Sequence, residues 1–195
     1  MPRKFDPRNR ELLLSEERHT QLQPRALLRQ MGLKSGDIMA DIGAGPGFFT
    51  VPAAEIVGER GMVLAADIQG EMLSALKARL VEQGLTNVRL LKMNDTETPL
   101  PPQFCDLVLA AFVLHEVPGR ASFLRRLALL LKPEGRLAVI EWEKREDSPG
   151  PPLEDRISPE ELVADAHAAG LRLRRRRELN ERQYLAIFTA ATADV

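Results

Sequence analysis

The chain has one cysteine, Cys105, and one tryptophan, and only 5% of its 195 residues are aromatic. One cysteine excludes an internal disulfide and any cluster of thiolate metal ligands. Cys105 lies inside an apolar strand-like run and reads as core. An excess of charge of one sign is also lacking. There are 27 Lys and Arg against 28 Asp and Glu, a formal net charge of −1, which gives no global attraction to nucleic acid or to an anionic membrane. The longest unbroken apolar run, residues 107–114, is too short to cross a bilayer. The first residues, Met-Pro-Arg-Lys-Phe-Asp-Pro, are charged from the start and carry no apolar signal region. The expectation is a cytoplasmic protein without membrane insertion. What remains is ordinary for a globular chain: 44% hydrophobic and 28% charged residues, in a length that makes one domain with a substantial core.

Against that background ten residues stand out, Asp41-Ile-Gly-Ala-Gly-Pro-Gly-Phe-Phe-Thr50. They follow apolar Ile38, Met39 and Ala40 and lead into helix-compatible residues 51–57, so the segment reads as strand, glycine loop, helix. Gly43, Gly45 and Gly47 alternate, which lets the backbone turn sharply and a ligand approach without meeting a Cβ. A tight turn without a ligand carries glycines too, and the motif alone has low specificity. The next apolar run, 62–68, contains Asp67 near its end, where a carboxylate in a βαβ unit commonly binds the two hydroxyls of a ribose. Loop and acid together predict a site for an adenosine-containing ligand. A dinucleotide fingerprint, Gly-x-Gly-x-x-Gly, counted from Gly43 needs its last glycine where Phe48 stands.

Strand and helix signals alternate along the rest of the chain. Helices are predicted at 24–32, closed by Gly32, and at 71–83, closed by Gly84, with Met72, Leu73, Leu76 and Leu80 as an apolar stripe. Another is predicted at 121–132, where Phe123, Leu124, Leu127, Leu130 and Leu131 are spaced to cover a sheet. Strands are predicted at 62–68, 88–93, 105–114 and 135–143. The run 105–114 is nearly all apolar, as expected of a central parallel strand buried on both faces. Pro99, Pro101 and Pro102 bar a regular helix before it. Residues 144–156 are charged, contain Pro149-Gly-Pro-Pro152 and read as a loop. Ser158-Pro-Glu-Glu161 starts a helix that ends at Gly170, with Ser158 as N-cap and Glu161 three residues on. Runs 171–179 and 183–190, separated only by Asn180, Glu181 and Arg182, predict an antiparallel hairpin. This alternation demands an α/β fold, a doubly wound and mostly parallel sheet covered on both faces. Residues 24–195 form a single domain. Residues 1–23 have no place in the sheet and are a candidate cover for the site.

The pattern acid-x-Gly-x-Gly-x-Gly, beginning at Asp41, resembles the cofactor loop of the class I S-adenosylmethionine-dependent methyltransferases, and the resemblance extends from about residue 23 to residue 189. Residues 63–73 are similar to that family's second segment, 104–117 to its fourth strand and exit, and 131–142 to its fifth-strand entry, where Glu134 replaces a usual glycine. The resemblance implies a Rossmann-like seven-stranded sheet with the last strand inserted antiparallel. It implies S-adenosyl-L-methionine as cofactor, with the loop Asp41, Gly43, Ala44, Gly45 and Gly47 under its methionine end. By the same resemblance Asp67 takes the ribose hydroxyls, Ile68 lies against the adenine, Asp95 accepts the adenine amino group, and Ala111 joins the cofactor-binding set. The implied acceptor is a small molecule, and the chain looks most similar to ubiquinone and menaquinone C-methyltransferases. The fourth-strand exit lacks the Asn/Asp-Pro-Pro-aromatic sequence of enzymes acting on base or amide nitrogens. A single cysteine argues against arsenite methylation, and no acidic cluster suggests a metal.

Methyl transfer from a sulfonium is an in-line displacement with a good leaving group already present. The protein has to hold the acceptor in line and exclude water, and such orientation supplies roughly 7–11 kcal/mol at best. A base is needed only where the acceptor must lose a proton in the transition state. His115 and Glu116 fall just past the fourth strand, beside the crevice where open α/β sheets bind ligands. His115 is the first candidate base, because an unperturbed imidazole titrates near neutral pH. The alternative is that it shapes the cofactor pocket or bonds a backbone carbonyl. Glu141, ending the fifth strand, is the second candidate, for contact with the acceptor, and Trp142 then points the other way. His19 either closes over the site or is simply exposed, and His167 has no assigned role. Residues 144–156 and the first twenty or so are candidates for selecting the acceptor. Arg172, Arg174, Arg175, Arg176 and Arg177 alternate along a strand and read as a charged, solvated edge, with RNA or an anionic acceptor as the functional alternative. Other readings of the whole chain are an NAD(P)-dependent oxidoreductase, a module that binds the cofactor without catalysis, and RNA or protein methylation. Homo-oligomer formation is left open.

Overall fold

Strands β1 (Ile38–Ile42), β2 (Met62–Asp67), β3 (Val88–Lys92), β4 (Cys105–Ala111), β5 (Leu131–Trp142), β6 (Leu171–Asn180) and β7 (Gln183–Ala190) form one sheet, in the order β3-β2-β1-β4-β5-β7-β6. The computed structural model describes residues 5–94, 100–146 and 150–191. Neighbours from β3 through β5 pair in parallel, whereas β7 is antiparallel to both β5 and β6. The chain moves outward from β1 to β3 and returns to β4 on the other side of β1. The order therefore reverses between β1 and β4, which opens a crevice at their C-terminal ends.

Strict alternation along the central strands sorts side chains onto two faces. Leu107, Leu109, Ala138 and Ile140 pack toward α2 (Pro24–Gln30) and α3 (Thr50–Val57). Val108, Ala110, Leu137 and Val139 pack toward α5 (Arg120–Leu129) and α6 (Pro159–Ala168). Leu76 and Leu80 of α4 (Gly70–Glu82) cover Ala65 of β2 beside α3, and the predicted stripe Met72, Leu73, Leu76 and Leu80 is buried as a unit. Ser158 caps α6 with the expected reciprocal bonds: its Oγ accepts from Glu161 N (3.2 Å) and its N–H donates to Glu161 Oε2 (2.7 Å). Among the described residues no helix is long and apolar enough to cross a membrane.

Two expected boundaries are corrected. The fourth strand stops at Ala111, because Phe112 turns into the left-handed region (φ +60°) and Leu114–Glu116 follows as a 3-10 turn. The helix expected to reach Lys132 ends at Leu129. Leu130 closes the helix as its C-cap while its O accepts from Phe104 N and Cys105 N (2.9 and 2.8 Å), and Leu131 pairs with Cys105 as the first residue of β5. β6 is the sheet edge, with a bulge between Leu173 and Arg175, and Arg172, Arg174, Arg175 and Arg176 are exposed along it. Bulge and charge together discourage pairing with another strand. In the loop after β5, the buried Arg156 donates to the carbonyls of Pro151 (2.9 Å) and Arg145 (3.0 Å). Asp95, Pro99 and Pro149 lie outside the described residues.

Candidate active site

Asp41 ends up almost fully buried and accepts a 2.6 Å bond from Thr50 Oγ1, tying β1 to the first turn of α3. Burial pushes its pKa up to about 6; the Thr50 bond opposes the rise and the charge of Asp67 adds to it. The loop then runs along β2, with Gly43 and Ala44 N–H both donating to Ala66 O (2.8 and 3.1 Å). A Cβ on Gly43 would fall 2.4 Å from Val113 Cγ2, so the loop touches the chain leaving β4. A Cβ on Gly47 would fall 2.3 Å from Leu76 Cδ1. Gly47 thus admits α4, and it is absent from the cavity wall that Asp41, Gly43, Ala44 and Gly45 help to build.

Across the crevice, Asp67 accepts from Gly45 N at Oδ2 (2.8 Å) and from Gln69 N at Oδ1 (2.7 Å). Burial raises its pKa against these bonds and the nearby Lys92. Two bonds leave lone pairs to spare on a carboxylate, and Asp67 lines the cavity. Ile68, Met72, Met93 and Val117 make an apolar slot beside it, and Ala111, Phe112 and Trp142 line the cavity as well. Phe112 and Trp142 rings lie 5.3 Å apart.

The N-terminal segment contributes Phe5, Leu13 and Arg18 to the same cavity. Gln69 Nε2 donates to Phe5 O (2.8 Å) and Phe5 N donates to Glu116 Oε1 (3.1 Å), so the segment is strapped across from β2 to the β4 exit. His19, on α1 (Glu16–Leu22), is exposed and its ring rests against Phe48 at 4.6 Å.

His115 and Glu141 are brought together, though not on the cavity wall. Glu141 is fully buried; its Oε1 accepts from Leu114 N (2.8 Å) and its Oε2 meets His115 Nδ1 (2.8 Å). Burial disfavours the imidazolium, but the hydrogen bond and charge of Glu141 outweigh it and the His115 pKa is raised. Glu116, which does line the cavity, has its Oε1 3.9 Å from His115 Nε2, and burial raises its pKa. Trp142, next along β5, faces the cavity as alternation requires.

Glu116, expected beside the crevice, does line it, whereas Phe5, Leu13, Arg18 and Phe112 were not singled out as cavity residues by the sequence. For Arg18 a signal existed: Leu14, Arg18 and Leu22 are four residues apart, and the outer two pack inward. For Phe112 there was none, because only the end of the β4 ladder reveals its turn.

The doubly wound sheet, and a crevice flanked by a glycine loop and a strand-end acid, are those of a Rossmann-like methyltransferase. The profile of the ubiE/COQ5 methyltransferase family matches residues 2–149. The ubiquinone/menaquinone biosynthesis C-methyltransferase UbiE of Marinomonas sp. (strain MWYL1) is 35% identical over 126 residues, 64% of this chain and 50% of that protein. UbiE of Azotobacter vinelandii is 36% identical over 124 residues, 63% of this chain and 49% of that protein. The chain thus spans about half the length of the curated relatives it matches. A crystal structure of a SAM dependent methyltransferase from Aquifex aeolicus superposes with a TM-score of 0.89 at 34% identity, covering 95% of this chain and 98% of that one. The chain belongs to the ubiE/COQ5 methyltransferase family. The [4+2]-cyclase SpnF shares the fold at a TM-score of 0.77 and 16% identity, over 89% of this chain and 82% of that one. Fold alone therefore does not dictate the reaction.

Proposed function

We propose that this protein transfers a methyl group from S-adenosyl-L-methionine to the ring carbon of a small hydroxylated aromatic acceptor, in the cytoplasm. The observation that carries the reading is the single cavity in which the Asp41–Gly45 loop and Asp67 face the aromatic pair Phe112 and Trp142. The residues fit the cofactor: Asp67 keeps acceptor capacity for ribose hydroxyls, Ile68, Met93 and Val117 suit the adenine, and the loop with Ala111 suits the amino-acid end. When bound, the cofactor supplies an electrophilic methyl on a sulfonium. Phe112 and Trp142 offer flat apolar walls that orient an aromatic acceptor and exclude water. Methylating such a ring at carbon requires removal of a proton. Glu116 is the carboxylate placed to receive it, since it lines the cavity with a raised pKa. His115 and Glu141 stand behind it as a pair that holds the β4 exit turn. Residues 5–22 cover the site and take part in choosing the acceptor.

The test is a screen of hydroxylated aromatics and quinols, with S-adenosylhomocysteine release coupled to mass spectrometry. A product 14 mass units heavier with the new methyl on carbon is expected. A calorimetric titration in which NADH binds and S-adenosylhomocysteine does not would overturn the reading.

A further inference from the structure

Arg18 is the only cation on the cavity wall among the described residues, and it has no anion. Its guanidinium carbon lies 4.7 Å from the ring centroid of Phe48 and 4.9 Å from that of Phe112. Other arginines found in ion pairs sit outside the cavity, as Arg120 does with Asp165 (2.6 Å) and Arg176 with Glu160 (2.8 Å). The only hydrogen bond at Arg18 beyond the helix ladder is that of its backbone N–H to Ser15 Oγ (3.3 Å), which sets the first turn of α1. That capped turn, with Leu22 buried four residues on, aims the side chain inward.

Burial lowers the pKa of Arg18 to about 10, so it stays charged at neutral pH while losing part of its hydration. Aromatic rings compensate a guanidinium through its faces. They do nothing for its five N–H groups, which point outward in its own plane and match the two coplanar oxygens of a carboxylate. Phe112 is held for this arrangement in an unfavourable conformation (φ +60°), with its N–H bonded to Ile140 O (2.8 Å) and its ring against Trp142. Strain of this kind persists where surrounding structure imposes it, and it clusters at ligand clamps.

We infer that Arg18, with Phe48 and Phe112, forms a carboxylate-binding site at the glycine-loop end of the cavity. The carboxylate comes either from the amino-acid tail of the cofactor, in which case the inference rests on the function proposed above, or from the acceptor. Phe48 directly follows the loop and Phe112 directly follows Ala111, so both sources reach the site.

The test uses the full chain and its R18Q and R18K variants, with thermal melting as the check on folding. S-adenosylhomocysteine and 5′-methylthioadenosine, which lacks the amino-acid tail, are titrated by calorimetry. If the tail is the source, R18Q weakens S-adenosylhomocysteine at least tenfold, R18K weakens it less, and methylthioadenosine binds all three proteins equally. If the acceptor is the source, S-adenosylhomocysteine binding is unchanged. Benzoate, followed through the fluorescence of Trp142, the only tryptophan in the chain, then binds wild type at least tenfold better than R18Q, while benzamide does not discriminate. The inference is overturned if neither ligand pair separates the variants, or if R18Q weakens methylthioadenosine as much as S-adenosylhomocysteine. Failure of wild type to bind either adenosine ligand counts against the proposed function, and the benzoate arm, run without nucleoside, still decides Arg18.

Discussion

The backbone N–H of Gly45 donates to Oδ2 of Asp67 across 22 residues of chain, at 2.8 Å. One bond joins the turn after β1 to the acid ending β2, so the two halves of the proposed cofactor site are held relative to each other by the fold itself. Asp67→Ala removes that tie together with the proposed acceptor for ribose hydroxyls. Hydrogen bonds to charged groups contribute about 1.5–3 kcal/mol each. The expected outcome is a loss of S-adenosylhomocysteine affinity of about 100-fold or more by calorimetry, with the fold intact by circular dichroism. Affinity within threefold of wild type contradicts the assignment.

Asp41 should make stability depend on pH in an unusual direction. Its folded pKa, about 6, lies above the 3.8 of an unperturbed Asp. The folded state therefore holds the proton more tightly. The cost of burying the carboxylate is absent below pH 4, grows as pH rises through 6, and is complete at neutral pH, at roughly 2–3 kcal/mol by the usual conversion of a pKa shift. Asp41→Asn keeps an acceptor for Thr50 and removes the charge. Urea unfolding should show it more stable than wild type at pH 7.5 by about that amount, with the gap shrinking toward pH 4.5. A gap independent of pH would falsify the attribution.

The His115–Glu141 pair shifts stability in the same direction, through a favourable bond to the protonated form and not a burial cost. A raised histidine pKa contributes stability that is fully present below the unfolded value near 6.5 and is lost as pH rises through the folded one. Glu141→Gln should lower the His115 pKa, read from its ring protons by NMR, and cost about 1–3 kcal/mol for the weakened buried bonds to Leu114 and His115. An unmoved titration would dissociate the two residues.

Glu116→Gln tests the proton acceptor. Removal of a general base costs about 100-fold to 10,000-fold in turnover, while S-adenosylhomocysteine affinity should stay near wild type. The acid limb of the wild-type rate profile should follow the raised Glu116 pKa and vanish in the variant. Equal loss of affinity and turnover would make Glu116 a binding residue instead.

Gly47→Ala separates packing from binding. The new Cβ meets Leu76 and sits at φ +91°. Overpacking and a left-handed alanine together cost about 2–4 kcal/mol. Denaturation should register this while cofactor affinity of the folded fraction hardly moves. A large affinity loss would return Gly47 to the binding loop.

How much of the site could be read in advance differs from residue to residue. Asp41, Gly43, Ala44, Gly45, Asp67, Ile68 and Ala111 all line one cavity, because loop and strand ends are adjacent in any βαβ unit. Glu141 was expected at the acceptor, and its carboxylate is turned to Leu114 and His115. A strand's period of two places a side chain on a face without saying what covers that face. Phe5 could not be placed, since a segment outside the sheet has no register to inherit, and for Arg18 the helical spacing from Leu14 to Leu22 gives an inward face without saying which cavity it meets.

By itself the sequence determined the order of strands and helices, the burial of the central strands and the position of the glycine loop. Those depend on local periodicity, turn residues and caps, which act over a few neighbours. The tertiary structure alone decided that Gln69 and Glu116 hold Phe5 over the crevice, that Gly47 serves α4, and that Arg18 lies against Phe48 and Phe112. Each of these is a contact between segments distant in sequence, and it arises from the way the helices close on the sheet, which no local pattern encodes.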